Sequence, residues 1–232
     1  MDSDGRLKSR TGQDSRIVFV VDDDADSRES LVALMRSVGV SCESFASPLD
    51  FIDSCNDTVL SSCAVVVLDV RLPYMGGLEV LHQIKQLDPD MPIVMITGYG
   101  DVASAVAAIK RGAVDYLEKP VNPQFLLDLV QNCLNERSRK LEERHGLQEA
   151  AERCSHLSAR EYQVAELVCQ GMSNKQIADQ LNLSDRTVEK HRIAATTKLG
   201  VDSTIQFVKL FEKANNLHKA VKPRAELGAT TH

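Results

Sequence analysis

Two apolar runs in the sequence end in aspartates that could share one chemical site. Residues 64–68 are followed by Asp69, and residues 17–21 are followed by Asp22 and Asp23. Apolar, β-branched runs without polar alternation are typical of parallel strands that are buried on both faces. If the two strands are neighbours, three carboxylates meet at one edge of a sheet and repel one another unless a proton or a cation is present. With oxygen ligands alone and no His or Cys nearby, that cation is hard, most simply Mg2+.

Two later apolar runs end in side chains that suit a phosphoryl group. Residues 93–96 lead into Thr97, and the shorter run of residues 115–118 leads into Lys119. An ammonium and Mg2+ would neutralise the charge of a phosphoryl group carried on a carboxylate, and the hydroxyl would donate a hydrogen bond to it. A single strand-end aspartate is often only a loop cap. The hypothesis of a phosphoryl site therefore depends on the complete ordered set.

Together with Tyr116 and Pro120, these strand-end residues resemble the receiver domain of two-component response regulators over roughly residues 16–135. The resemblance implies a flavodoxin-like α/β fold, in which a doubly wound sheet of five parallel strands is covered by five helices. It also implies phosphorylation by a sensor histidine kinase, with Mg2+ as the cofactor. The implied roles are phospho-acceptor for Asp69, metal binding for Asp22, Asp23, Asp69 and the backbone carbonyl of Arg71, and phosphate binding and switching for Thr97, Tyr116 and Lys119.

The elements between these strand ends are predicted from capping residues and helical spacing. Asp26 is expected to cap a first helix that ends at Gly39, and residues 40–45 are expected to form the next strand. A short alanine-rich helix is predicted from Asp101 to Arg111, with few large apolar anchors. Its three large apolar residues are expected to face inward: Val102, Val106 and Ile109. Such a helix could be a low-stability element that shifts on phosphorylation.

The C-terminal part of the chain carries the capping signals of several short helices. The expected N-caps are Ser158, which forms a capping box with Glu161, and then Ser173 and Ser184. Two of the helices are expected at residues 174–181 and 185–199. A compact bundle of this kind could serve protein contacts alone.

Residues 155–218, however, closely resemble the LuxR-type helix-turn-helix domain. The residues that carry the resemblance are Arg160-Glu161, Gly171, Asn174-Lys175, Ile177-Ala178, Ser184, Thr187-Val188, His191 and Lys198-Leu199. The resemblance implies a small all-α DNA-binding domain. It assigns residues 174–181 to the supporting helix and residues 185–199 to the recognition helix in the major groove.

Helical spacing sorts the side chains of this region into three groups. The expected core stripe is Val188, Ala195 and Leu199. The opposite face of the recognition helix is expected to meet base edges through Glu189, Lys190, Ile193 and Thr197. Side chains nearer the flanks are expected to contact phosphates: Lys175, His191, Arg192 and Lys198. Glu189 can accept a hydrogen bond from a cytosine amine, and Ile193 can contact a thymine methyl.

Charge is distributed unevenly along the 232 residues, which have a formal net charge of −6. Residues 16–135 carry 8 basic and 17 acidic side chains, whereas residues 155–222 carry 10 basic and 7 acidic ones. Only the second region is therefore expected to meet a polyanion. No apolar run approaches the roughly 20 residues needed to span a bilayer, so we expect a cytoplasmic protein without membrane contact. The six cysteines form no C-x-x-C pair and are expected to be reduced.

The chain is predicted to divide into five segments. These are a disordered tail at residues 1–15, a receiver domain at 16–135, a charged helical linker at 136–154, a LuxR-type helix-turn-helix domain at 155–218, and a disordered tail at 219–232. Residues 136–153 carry five basic and five acidic side chains and are expected to be solvated. A two-stranded coiled coil is the alternative, although Leu134, Leu141 and Leu147 do not sustain a heptad.

The two resemblances together predict a phosphorylation-gated transcription regulator of the NarL/FixJ family, with activation as the default. It is not expected to be an enzyme beyond its own phosphotransfer and dephosphorylation. The expected partners are a sensor histidine kinase, double-stranded promoter DNA and a second copy of the chain when phosphorylated. RNA polymerase is a further candidate partner. An aspartyl-phosphate hydrolase would carry a second Asp two residues after the nucleophile, where this chain has Arg71. A receiver that dimerises without phosphate, or one that masks the DNA-binding domain, remains open as an alternative.

Overall fold

Five parallel strands form one sheet in the N-terminal unit of the chain. The computed structural model describes residues 16–55 and 57–221, which divide into one compact unit up to Leu141 and another from Glu142. The strands are β1 (Ile17–Val21), β2 (Ser41–Phe45), β3 (Ala64–Asp69), β4 (Ile93–Thr97) and β5 (Asp115–Glu118). Their order is β2-β1-β3-β4-β5, and every neighbouring pair is parallel. The predicted doubly wound five-stranded sheet is confirmed.

Helices cover both faces of this sheet because successive side chains of each central strand point to opposite sides. They are α1 (Ala25–Ser37), α2 (Pro48–Ser54), α3 (Asp57–Leu60), α4 (Gly77–Leu87), α5 (Val102–Lys110) and the first part of α6 (Pro123–Ser155). On β3, Val66 and Leu68 belong to one buried cluster with α2 and α4. Val65 and Val67 belong to the other, with α1 and α6. The short helix α3 was not predicted.

The start of α1 differs from the sequence-based expectation. Asp24, not Asp26, is the N-cap, and its carboxylate accepts the backbone N–H of Ser27 at 2.7 Å. Asp26 lies in the first turn, where its negative charge still faces the positive end of the helix dipole. Both residues are acidic and adjacent to the strand end, so the pattern alone could not choose between them.

The prediction that the apolar residues of α5 face inward is wrong. Val102, Val106 and Ile109 are 81%, 47% and 48% exposed, and the buried residue of this helix is Ala108. Small alanine side chains let the helix backbone approach its neighbours closely, which leaves the larger side chains on the opposite face. These three residues form the α5 stripe.

Helix α6 continues without a break through the predicted linker, and that linker is not solvated along its whole length. The side chain of Arg137 is fully buried, and its Nη2 lies 2.5 Å from Oδ2 of Asp88. The same guanidinium donates to the carbonyls of Leu60 at 2.5 Å and Ser62 at 3.3 Å. Leu141 is also buried. The first turns of the predicted linker are therefore anchored to the sheet-bearing unit, while the segment limits 136 and 154 stay a prediction.

The C-terminal unit is all α-helical in its described part. After the end of α6 come α7 (Ala159–Cys169), α8 (Asn174–Leu181), α9 (Asp185–Leu199) and α10 (Thr204–Val221). The capping predictions for Ser158, Ser173 and Ser184 are confirmed. Helix α10 was not predicted, and it extends three residues into the segment expected to be a tail. Residues 1–15 and 222–232, where the rest of the two predicted tails lie, are outside the described residues.

One core joins the helices of this unit. The stripe Val188, Ala195 and Leu199 of α9 is buried as predicted. Phe207 and Phe211 of α10 complete the core. None of the described helices is both long and apolar enough to cross a membrane.

Candidate functional site

The sheet edge brings two of the predicted aspartates together with the predicted lysine. Val21 of β1 pairs with Leu68 of β3, so Asp22 and Asp69 follow at neighbouring positions. Both are buried, with 1% and 6% exposure. Lys119 follows β5, and its Nζ lies 2.7 Å from Oδ2 of Asp22 and 2.5 Å from Oδ2 of Asp69. One ammonium therefore bridges two buried carboxylates.

The bridge keeps Lys119 charged. Burial by itself lowers the pKa of Lys119, but the hydrogen bonds to Asp22 and Asp69 outweigh burial, so the pKa lies above its ordinary value. The side chain is an ammonium at neutral pH. It can pair with an anion at this edge without first gaining a proton.

Backbone and side-chain donors fix the two acids in place. Oδ1 of Asp22 accepts the N–H of Asp24 at 3.0 Å, and Oδ2 accepts the hydroxyl of Ser27 at 2.6 Å. Arg28 donates from Nη1 to the carbonyl of Asp22 at 2.8 Å. Oδ1 of Asp69 accepts the backbone N–H of Arg71 at 2.7 Å. Sequence reasoning missed Ser27 and Arg28. Their position in the first turns of the helix that follows a strand-end acid was the signal that could have identified them.

The third predicted carboxylate does not join this cluster. Asp23 is exposed, and the described residues contain no group of three His, Cys, Asp or Glu side chains placed to hold a metal ion. The predicted three-acid ligand set is therefore not assembled in this conformation, in which Lys119 occupies oxygens of Asp22 and Asp69. The donor chemistry nevertheless fits a hard cation, because every candidate ligand, carboxylate or backbone carbonyl, is an oxygen.

The predicted switch residues lie on β4, which pairs with the strand of Asp69, and on β5, the next strand along the sheet. Thr97 is fully buried, and its Oγ1 donates to the carbonyl of Tyr99 at 3.1 Å and accepts the N–H of Tyr99 at 3.2 Å. The hydroxyl of Tyr116 is buried without a hydrogen-bond partner among the described residues. The resemblance implies a switching role for Tyr116. Its hydroxyl is already shielded from solvent, since its ring packs against the apolar cluster on one face of the sheet.

Two further residues shape the surroundings of Asp69. A Cβ on Gly77 would lie 2.1 Å from the backbone oxygen of Asp69, so only glycine fits where α4 begins. The guanidinium of Arg71 lies 4.5 Å from the ring centroid of Tyr99, a cation–π contact. In the sequence, the adjacent glycines Gly76 and Gly77 indicated a turn at the start of α4. Nothing in the sequence indicated the contact between Arg71 and Tyr99.

The C-terminal unit presents the predicted base-facing residues on one exposed side of α9. Glu189, Lys190, Ile193 and Thr197 are all exposed. The hydroxyl of Thr197 donates to the carbonyl of Ile193 at 2.9 Å, within the helix. This side of α9 is opposite the buried stripe, as helical spacing predicted.

Two of the four predicted phosphate contacts are engaged inside the domain. Arg192 donates to Oδ1 of Asn174 at 2.5 Å. Lys198 lies 2.7 Å from Oε2 of the buried Glu161, and the same oxygen accepts the N–H of Ser158 at 2.7 Å.

The hydrogen bond from Lys198, followed by that from Ser158, lowers the pKa of Glu161 below its ordinary value. Lys198 therefore has a structural role that the sequence did not reveal. The other two predicted phosphate contacts differ in accessibility, because Lys175 is exposed and His191 is half-buried. Arg186, which was not among the predicted contacts, is also exposed.

Comparison with known proteins matches each of the two units to a separate domain family. Residues 18–131 match the response regulator receiver domain, and residues 155–211 match the bacterial regulatory proteins of the luxR family. The chain is 38% identical over 197 residues to the response regulator protein TodT of Pseudomonas putida, covering 85% of this chain and 86% of that protein. It is 36% identical to the transcriptional regulatory protein FixJ of Bradyrhizobium diazoefficiens, covering 87% and 97%. The low-resolution structure of the response regulator StyR matches with a TM-score of 0.78 at 37% identity, covering 85% and 98%.

Proposed function

Because the chain belongs to the NarL/FixJ family of response regulators, which join a receiver domain to a LuxR-type DNA-binding domain, we propose that phosphorylation of Asp69 gates its binding to DNA. The observation that carries the proposal is the contact of Lys119 with both buried carboxylates, Asp22 and Asp69. An ammonium held there neutralises part of the charge that a phosphoryl group adds to Asp69.

The phosphoryl donor in this proposal is a sensor histidine kinase. A carboxylate oxygen of Asp69 attacks phosphorus, the new O–P bond forms, and the bond from phosphorus to the donor imidazole breaks. Asp22, Asp23, Asp69 and the backbone carbonyl of Arg71 would hold Mg2+. When bound, Mg2+ supplies positive charge that stabilises the transferred oxygens. It has to compete with Lys119 for the oxygens of Asp22 and Asp69.

Thr97 and Tyr116 are proposed to convert phosphorylation into a change of surface. A phosphoryl oxygen on Asp69 offers the Thr97 hydroxyl an acceptor that is stronger than the carbonyl of Tyr99. If Thr97 exchanges partners, the loop that begins at Tyr99 loses two hydrogen bonds. That loop leads directly into α5, which carries the exposed α5 stripe. The change therefore reaches a surface suited to association.

Dimerisation through this surface is the proposed output. Exposed contiguous apolar side chains are typical of interaction sites. A dimer would place two copies of α9 on paired half-sites of promoter DNA. Activation of transcription, with RNA polymerase as a further partner, is the proposed direction of regulation. A receiver that masks the DNA-binding domain until phosphorylation is the second scheme, favoured by the anchoring of the linker through Arg137.

The proposal is tested by treating the full chain with acetyl phosphate and Mg2+ and by measuring the intact mass. We expect one added phosphoryl group in the natural protein and none in Asp69→Asn. Asp53→Asn, which neutralises an exposed aspartate of α2, is the matched control and should still be modified. Modification of Asp69→Asn to the same extent as the natural protein would exclude Asp69 as the acceptor.

Sedimentation with Mg2+ and beryllofluoride separates the two outputs. Beryllofluoride mimics a phosphoryl group on an aspartate. A shift from monomer to dimer in the natural protein, absent in Asp69→Ala, supports gating by dimerisation. Bound beryllofluoride without any shift would instead favour release of a masked DNA-binding domain.

A further inference from the structure

The first turn of α9 carries an exposed arginine that has no assigned role. Arg186 has no hydrogen-bond or ion-pair partner within residues 16–55 and 57–221. Two other cations of this helix are already engaged, since Arg192 donates to Asn174 and Lys198 pairs with Glu161. The guanidinium of Arg186 is therefore available to an external ligand.

Helical geometry places Arg186 in the middle of the exposed face of α9. It precedes Lys190 by four residues, Ile193 by seven and Thr197 by eleven, and these spacings keep all four side chains on one side of the helix. The buried stripe of Val188, Ala195 and Leu199 lies on the opposite side. If this exposed face enters the groove of a DNA duplex, Arg186 points toward the base edges. Side chains at the margins of the face would contact the phosphates instead.

The cap of α9 fixes the turn that carries this side chain. Oγ of Ser184 accepts the N–H of Thr187 at 3.1 Å and lies 2.8 Å from its hydroxyl. Arg186 is the second residue of the helix, directly after Asp185. The N-terminal residues of a recognition helix are those that contact base edges. Because the first turn is capped, the backbone that carries Arg186 is held in one conformation.

We propose that Arg186 is a specificity-determining residue that binds the edge of a guanine in each half-site. The planar guanidinium can donate two parallel hydrogen bonds to O6 and N7 of guanine, a pairing that discriminates among bases by roughly five- to hundredfold. This inference rests on the proposed DNA-binding function and deepens it, because it assigns one base of the recognised sequence to one side chain.

Selection from a randomised DNA library by the full chain, in the presence of Mg2+ and beryllofluoride, tests the assignment. We expect the natural protein to select a guanine at one position of each half-site. Arg186→Ala should lose that preference, roughly tenfold or more, and should keep the preferences at the other positions. Arg160→Ala is the matched control, because Arg160 is also an exposed second helical residue after a serine cap, but in α7. It should select the natural sequence.

Direct binding measurements distinguish base recognition from phosphate contact. If Arg186→Ala weakens binding equally to all sequences and reduces the dependence of affinity on salt, Arg186 contacts a phosphate and the assignment is wrong. Unchanged selection and affinity would also overturn it. If the natural protein selects no DNA sequence at all, the proposed DNA-binding function is wrong, and so is the assignment of Arg186.

Discussion

At the level of single residues, one ammonium group sets the electrostatics of the proposed phosphoryl site. Lys119 contacts Asp22 and Asp69, which together carry two negative charges in a largely buried position. Without a positive charge between them, the two carboxylates repel each other. Lys119 therefore supplies part of the positive charge that a metal ion would otherwise provide. A metal ion at the proposed site would compete with the lysine for the same oxygens.

Replacing the lysine should make the acids better metal ligands. In Lys119→Met we expect the affinity for Mg2+ to rise, roughly tenfold, because a like charge beside the metal is removed. Isothermal titration calorimetry of the unphosphorylated protein measures this affinity. Lys110→Met, which removes an exposed lysine of α5, is the control and should bind Mg2+ as the natural protein does. Unchanged or weaker binding in Lys119→Met would show that the lysine does not oppose the metal.

At the level of elements, a charge pair connects the start of α7 with the end of α9. Glu161 completes the capping box of α7 with Ser158, and Lys198 of α9 donates to the same carboxylate. The pair fixes the recognition helix against the helix that precedes the helix-turn-helix. It also makes the stability of the unit depend on pH.

Glu161→Gln should destabilise the C-terminal unit by about 1 kcal/mol at pH 7, since the amide keeps the capping box but loses the charge. The pKa of Glu161 is lowered in the folded state, so its contribution is present above the ordinary carboxyl pKa and is lost as the pH falls through the folded value. Urea unfolding of the natural protein and the variant should therefore converge when the pH falls below the lowered folded-state pKa of Glu161. Glu166→Gln, an exposed change in the same helix, should have no effect. A difference in the free energy of unfolding that does not shrink as the pH is lowered would refute the electrostatic explanation.

Helix α6 depends on a buried ion pair where it leaves the sheet. Arg137→Met should cost roughly 3–5 kcal/mol, because the carboxylate of Asp88 stays buried without its guanidinium. The double variant with Asp88→Asn should regain part of this loss. Arg139→Met removes a solvent-exposed partner of Glu136 and should change stability by less than about 0.5 kcal/mol. Urea unfolding compares the four proteins, and a double variant less stable than Arg137→Met would contradict the argument.

At the level of the whole molecule, two units carry two separate kinds of chemistry. The acidic sheet-bearing unit holds the proposed phosphoryl site and the α5 stripe, and the second unit holds α9, the proposed recognition helix. Coupling between them requires an output at a surface, since Asp69 itself is buried. The α5 stripe is the proposed surface for that output.

Val102→Lys should prevent the dimer that beryllofluoride induces, because a charge would have to be buried at the contact. Val102 is largely exposed in the single chain, so the fold and the uptake of a phosphoryl group should be retained. Leu49→Lys, an equivalent change at an exposed position of α2, should still dimerise. Sedimentation with Mg2+ and beryllofluoride compares the variants. A dimer of Val102→Lys with the same stability as that of the natural protein would place the contact elsewhere.

The sequence by itself determined the strands, their polar ends and the serine helix caps, because these depend on local patterns. Runs such as residues 64–68 are typical of buried strands, and serines such as Ser184 satisfy the first N–H groups of the helix that follows. The order of strand ends also predicted that Lys119 lies at the site of Asp69, 50 residues away. Tertiary structure alone decided two other ion pairs, because Arg137 is 49 residues from Asp88 and Lys198 is 37 from Glu161.

The same limit explains the residues that sequence reasoning misplaced. Helical spacing places the α5 stripe and the alanines of α5 on different faces of the helix. Packing against the neighbouring elements buries the alanine face and leaves the stripe exposed. Lys198 has the position and charge of a phosphate contact, and only the folded chain shows that Glu161 engages it. A local pattern specifies what a side chain can do, whereas its partner is set by elements that are distant in sequence and adjacent in space.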